Sequence, residues 1–70
     1  MNKINDLEIE KIFKYAINSY QNKDYLTAKN FYNEILDKEP NHIGALNNIA
    51  TVFSDLNDIP SAIICYKKII

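Results

Sequence analysis

The sequence predicts an all-α protein in which a helix-turn-helix unit occurs twice, giving four antiparallel helices. Residues that lie thirty-four positions apart match repeatedly, and six of these pairs are identical. The matches fall on small and apolar residues with the three- and four-residue spacing of one helix face, and an aspartate recurs at the same offset. The identical pairs are Ile9 and Ile43, Ala16 and Ala50, Asp24 and Asp58, Ala28 and Ala62, Tyr32 and Tyr66, and Ile35 and Ile69.

Length and composition limit the chain to one small domain. Its 70 residues include one Gly and two Pro, and no Ser- or Gly-rich linker divides them. We therefore predict a single domain over residues 1–70, with a first repeat at about 9–42 and a second, truncated repeat at about 43–70. A chain of this size buries a small share of its surface, so its stability is expected to be marginal.

The first helix is predicted to begin near Asn5 or Asp6 and to end at about Asn22. Either side chain could accept from the free amides of the first turn, and Glu8 would complete a capping box after Asn5. Residues 1 to about 5 are expected to fray. The buried stripe is predicted to consist of Ile9, Ile12, Ala16 and Ser19 or Tyr20, with Tyr15 beside it.

A short turn precedes the second helix, which is predicted at about Tyr25–Lys38. Asn22 or Lys23 must adopt a left-handed backbone to end the first helix, and Asp24 then caps the second. Ala28 lies where a close crossing of two helices requires a small side chain. The rest of the apolar contact surface of this helix is predicted to consist of Tyr32, Ile35 and Leu36.

The third helix is predicted from about His42 to Leu56. Pro40 ends the second helix, because the residue before a proline avoids the helical region, and Asn41 is predicted to cap the third. Asn57 supplies the position that ends it. Its apolar stripe is predicted to consist of Leu46, Ile49, Ala50 and Phe53.

The fourth helix is predicted to begin at Ile59 and to continue to Ile70. Asp58 caps it, and Pro60 is tolerated in the first turn because that amide would be unpaired in any case. Ala62 is placed at the second close helix crossing.

These residues resemble the tetratricopeptide repeat, a helical family with the same thirty-four-residue period. The resemblance extends from Ile9 to Ile70 and implies two antiparallel helix pairs that form the start of an α-solenoid. The positions that match are Ile12, Tyr15, Ala16, Asp24, Tyr25, Ala28, Tyr32, Ile35 and Pro40 in the first repeat, and Leu46, Ile49, Ala50, Phe53, Asp58, Ala62, Tyr66 and Ile69 in the second. The chain departs from the family pattern at a few positions. The family often has Trp where this chain has Ile12 and Leu46, and a small Gly where it has Ala16 and Ala50. It has an aromatic residue in place of Ser19 and a turn Gly in place of Lys23 and Asn57.

The resemblance implies protein-protein recognition, with the first helix of each repeat lining a concave groove for a peptide or a partner's helix. In this chain the groove would be lined by Phe13, Ile17 and Tyr20 from the first helix and by Asn47, Asn48 and Thr51 from the third, with Ser54 beside them. Chaperone-binding members hold a carboxylate with Lys and Asn. Asn48 fits that pattern, but Phe13 and Ile17 replace the Lys and an Asn, so this specificity is not expected.

Phe13, Ile17 and Tyr20 form a second apolar stripe on the first helix, for which two interpretations remain. In the first interpretation, the stripe covers the exposed first helix or packs on residues 1 to 7. In the second, it contacts another chain.

The fourth helix is also expected to present apolar residues that the third helix covers on one side only. The last repeat of an array needs a polar capping helix, and we expect none here, so a homodimer or higher homo-oligomer is predicted. The alternatives are a purely structural self-assembling unit and the amino-terminal fragment of a longer scaffold. The self-association residues are predicted to be Ile63, Tyr66, Ile69 and Ile70, with Ile64 beside them.

Charge and cysteine content argue against other function classes. A net charge of -1 with eight scattered Lys and no Arg favours neither nucleic acid nor an anionic membrane surface. The single Cys65 allows no internal disulfide and no paired metal site, which favours a reducing compartment, and the amino terminus lacks the apolar core of a signal peptide. We therefore expect a cytoplasmic protein without metal or cofactor.

No enzyme is expected either. His42 has no acidic or thiol partner at helical spacing, and Cys65 lies between apolar residues with only Lys67 and Lys68 nearby to activate it.

Overall fold

The computed structural model describes residues 3–70, with side chains from residue 6 onward. It contains four helices, α1 (Lys3–Gln21), α2 (Tyr25–Lys38), α3 (Ile43–Asp55) and α4 (Ile59–Ile69), and these residues include no strand. Helix α1 packs on α2, α2 on α3, and α3 on α4. The predicted all-α class with four helices is therefore confirmed.

The two tight turns repeat one geometry at the thirty-four-residue offset. Lys23 and Asn57 both have a φ of 64°, the left-handed conformation that ends α1 and α3. In the next position, the carboxylates of Asp24 and Asp58 each accept from the amide three residues later at 3.3 Å, which caps α2 and α4. The predicted turn positions and both aspartate caps agree with the structure.

The interior of the molecule contains many alanines, which allow the helices to approach closely. Ala28 and Ala62, predicted at the helix crossings, are both buried. Helix α3 buries three of its four predicted stripe residues and two further ones, because it packs on α2 and α4 at once, whereas Phe53 is half-buried. The buried residues are Ile9, Ile12, Ala16, Ala28, Tyr32, Ile35, Ala45, Leu46, Ile49, Ala50, Val52, Ala62 and Cys65, of which Ala45 and Val52 were not predicted.

The predicted start of the first helix differs from the structure. Helix α1 already begins at Lys3, so Asn5 and Asp6 lie inside it and not at the position that precedes it. Lys and Ile are compatible with a helical backbone, and the helix therefore continues past these two polar residues toward the amino terminus. Of the segment expected to fray, residues 3–5 are helical, and residues 1–2 lie outside those described.

The cap of α3 is His42 and not Asn41. His42 has an extended backbone, and its Nδ1 accepts a hydrogen bond from the amide of Ala45 at 3.0 Å. The amide of His42 donates to the carbonyl of Glu39 at 3.1 Å, which closes a tight turn around Pro40 and Asn41. Because Asn41 lies inside this turn, the helix begins after His42.

Candidate functional site

A depression lies where α1, α2 and α3 meet, with a volume of about 340 Å³. Four of the six residues predicted for the concave groove line it, two from α1 and two from α3. We call it the groove pocket, and its lining consists of Ile17, Tyr20, Gln21, Tyr32, Asn48 and Thr51.

Tyr32, a residue of α2, lines this pocket as well. Its side chain is only 2% exposed, and its hydroxyl oxygen accepts a hydrogen bond from Nδ2 of Asn48 at 3.1 Å. Burial raises the pKa of Tyr32, and the bond from Asn48 lowers it by less. The phenol therefore keeps its proton at neutral pH.

Tyr20 connects the carboxyl-terminal ends of α1 and α3. Its hydroxyl donates to the Asp55 carboxylate, and its ring centroid lies 5.4 Å from that of Tyr25. The hydrogen bond to Asp55, with added effects of burial and of the Asp55 charge, raises the pKa of Tyr20 to about 12. The contact places a carboxylate beside the groove pocket.

The Tyr20–Asp55 contact predicts a stability contribution that is lost at high pH. Because the folded-state pKa of Tyr20 exceeds the ordinary value of 10.0, the contribution is complete below pH 10 and disappears as the pH rises toward about 12. Absorbance titration of the tyrosines should resolve a group near 12 that Tyr20→Phe removes. In Asp55→Ala this pKa should fall toward 10.0. Identical alkaline titrations of wild type and Asp55→Ala would contradict the contact.

The predicted apolar stripe of α1 divides between two environments. Ile17 and Tyr20 line the groove pocket, whereas Phe13 is half-buried, with its ring edge-on to Tyr32 at 5.8 Å and 5.6 Å from the ring of His42. Phe13 therefore packs within the chain. The alternative contact with residues 1–7 involves side chains that lie mostly outside those described.

A second depression, which Phe13 also lines, lies toward the start of α1. It has a similar volume of about 340 Å³ and includes three carboxylates and the imidazole that caps α3. Its lining consists of Asp6, Ile9, Glu10, Phe13, Glu39 and His42. In the described part of the chain, no group of three or more His, Cys, Asp or Glu side chains could hold a metal ion.

Some predicted groove residues do not line the pocket, and three residues of the site were not predicted. Asn47 and Ser54 are exposed and do not line the groove pocket. Sequence reasoning did not assign Gln21, Tyr32 or Asp55 to the site. Gln21, four residues after Ile17, could have been found from helical spacing, but Tyr32 and Asp55 enter through contacts between helices.

Helix α4 carries a largely exposed apolar surface. Ile63, Ile64, Tyr66 and Ile70 are exposed, and Ile69 is half-buried. We call these five residues the α4 patch. Cys65 instead faces the interior, where burial raises the pKa of its thiol and the charge of Lys68 partly offsets this effect.

None of the described helices is both long and apolar enough to cross a membrane.

Comparison with known proteins gives one similarity of limited extent. The chain is similar to "Uncharacterized protein ycf37" of Pyropia yezoensis, with 40% identity over 43 residues. The match includes 61% of this chain but only 24% of that protein, so it spans about a quarter of the relative's length. No protein-family model matches the chain, and no solved structure matches it.

Proposed function

We propose that the chain is a protein-protein interaction module of the tetratricopeptide-repeat type, which holds a peptide or a partner's helix in the groove pocket. The observation that carries this proposal is the convergence of Ile17 and Tyr20 from α1 with Asn48 and Thr51 from α3 around one depression. An apolar wall with a few placed polar groups is the usual form of a recognition pocket.

The recurrence of local geometry supports the repeat assignment. Helices α1 and α3 end thirty-four residues apart, at Gln21 and Asp55, and α2 and α4 begin thirty-four residues apart, at Tyr25 and Ile59. The same left-handed turn and the same aspartate cap join each pair. A repeated hairpin of this kind favours stacking into a solenoid, whose concave surface serves recognition.

Filling the groove pocket should prevent recognition. Peptides selected from a random displayed library for binding to the wild-type chain should shift the amide NMR signals of Ile17, Asn48 and Thr51. In Thr51→Trp the indole would occupy the pocket, and affinity should fall by about tenfold or more, the loss expected when one buried apolar anchor is displaced. Thr51 is exposed, so the helix itself should tolerate the change.

The matched control places the same side chain on another surface. Asn30 is exposed and lies two residues before Tyr32, about 200° around α2. Asn30→Trp should bind the selected peptides as wild type does. Selected peptides that bind Thr51→Trp and wild type equally well, or a library that yields no binder, would refute the groove proposal.

The α4 patch supports a second candidate function, self-association. Helix α4 packs on α3, while Ile63, Ile64, Tyr66 and Ile70 remain exposed. Burying each such side chain contributes about 1.5–3 kcal/mol, which is large compared with the stability of a small domain. A second copy of the chain would cover the patch on both subunits at once in a two-fold dimer.

A neighbouring repeat in a longer scaffold is the alternative occupant of the α4 patch. The relative from Pyropia yezoensis is about four times as long as its matched segment, which is 24% of its length. In a repeat array the first helix of the next repeat covers the last helix of the preceding one. The oligomeric state of this chain distinguishes the two occupants.

A further inference from the structure

We propose that Tyr32 anchors the main chain of a peptide bound in the groove pocket, because its hydroxyl donates a hydrogen bond to a main-chain carbonyl oxygen of that peptide. The inference rests on the proposed function, and it names the chemical group that the partner must present.

The observation is a buried hydroxyl that accepts one hydrogen bond and, within the described residues, donates none. Tyr32 is 2% exposed, and its oxygen accepts from Asn48. Among the side chains described from residue 6 onward, the hydroxyl donates to none. A phenol can donate one hydrogen bond and also accept, and buried polar groups normally use this capacity.

The other two hydroxyls of the groove pocket are already committed as donors. The hydroxyl of Tyr20 donates to the Asp55 carboxylate, and Oγ1 of Thr51 donates to the carbonyl of Asn47 at 3.2 Å. Tyr32 therefore carries the only uncommitted hydroxyl proton of the lining. Tyr32 and its hydrogen-bond partner Asn48 both line the pocket.

The charges around the groove pocket favour a neutral acceptor. No Lys belongs to its lining, and Asp55 holds a carboxylate beside Tyr20. An anionic group in the pocket would face this carboxylate without a compensating cation, whereas a main-chain carbonyl oxygen is neutral. The raised pKa of Tyr32 keeps the phenol protonated and thus able to donate. A peptide segment would then place an apolar side chain against Ile17 and a carbonyl oxygen against Tyr32.

Peptide binding to Tyr32→Phe tests this inference. The probes are library-selected peptides whose binding Thr51→Trp weakens by about tenfold or more. They are made with an amidated carboxyl terminus, and affinity is measured by calorimetry. Tyr32→Phe keeps the ring that packs on Phe13 and removes the hydroxyl, both as the proposed donor and as the acceptor for Asn48. Affinity should fall about two- to twelvefold, the effect of one neutral hydrogen bond, and the thioamide scan below separates the lost donor from the lost contact with Asn48. Circular dichroism should show unchanged helix content.

A thioamide scan of the same peptides identifies the acceptor. Sulfur accepts hydrogen bonds more weakly than oxygen, so replacing the critical carbonyl should weaken binding to the wild-type chain but not further weaken binding to Tyr32→Phe. This non-additivity is the signature of a direct contact. Tyr15→Phe, which removes a hydroxyl from an exposed tyrosine packed on Phe31, should give the wild-type result throughout.

Three results would overturn the inference. The first is that Tyr32→Phe binds the peptides as tightly as the wild-type chain does. The second is that no thioamide substitution is non-additive with Tyr32→Phe. The third is that peptides with a free carboxyl terminus bind more tightly than their amides. In each case groove binding itself would stand. A failed library selection refutes the proposed function, and the inference with it, at an earlier step.

Discussion

Ala28→Leu is expected to unfold a large fraction of the chain near physiological temperature. Ala28 is 0% exposed and lies in the same core as Ala16, on two helices that pack directly on each other. Three additional carbon atoms at a closely packed site force the helices apart, at a typical cost of about 1–3 kcal/mol. For a domain of this size, each 1 kcal/mol lowers the melting temperature by about 4–8 °C.

Thermal melting followed by circular dichroism measures this effect. The matched control is Asn30→Leu, which introduces the same side chain on the exposed face of α2. The control should melt within a few degrees of the wild-type chain, since surface substitutions usually change stability by less than about 0.5 kcal/mol. Equal melting temperatures for Ala28→Leu and the control would show that the two helices do not cross closely at Ala28.

The second large effect is expected in the oligomeric state. The wild-type chain should sediment at micromolar concentration as a dimer or a higher oligomer, because the α4 patch presents several exposed apolar side chains. The double variant Ile63→Lys and Ile70→Lys should sediment as a monomer. Two lysines that face each other across a two-fold interface would have to be desolvated without a partner, which costs more than the apolar contact contributes.

A charge-matched control separates a specific interface from a general charge effect. Both variants change the net charge from -1 to +1, because two neutral residues become lysine. The control, Asn30→Lys with Asn33→Lys, places the charges on exposed positions of α2 and should keep the wild-type mass. A wild-type chain that sediments as a folded monomer would exclude self-association, and the patch would then be assigned to a neighbouring repeat.

The local features of the helix ends could be predicted from sequence. The bounds Tyr25 and Lys38 of α2 and the Asp24 cap agree with the structure, and Lys23 is the left-handed one of the two residues predicted for that role. Each depends on atoms within about one turn of the chain, where a side-chain oxygen or a proline acts on neighbouring backbone groups. At the start of α3, Asn41 was predicted as the cap, but the neighbouring His42 caps the helix, so this prediction was wrong.

The candidate site could be predicted only in part. Helical spacing and the family resemblance assigned Ile17, Tyr20, Asn48 and Thr51 to the lining of a groove, and all four line the groove pocket. Phe13 came from the same stripe, yet it packs on Tyr32 and His42. Spacing along one helix shows which residues share a face, but it does not show how far a neighbouring helix extends over that face.

By itself, the sequence determined four helices, their turns and most of their buried positions, because helix caps and apolar spacing act between residues close in the chain. The tertiary structure alone decided the contacts that define the pocket. Asn48 reaches Tyr32 across 16 residues, and Tyr20 reaches Asp55 across 35. Such pairs depend on the distance and rotation between packed helices, which the close contact of side chains from several helices sets together.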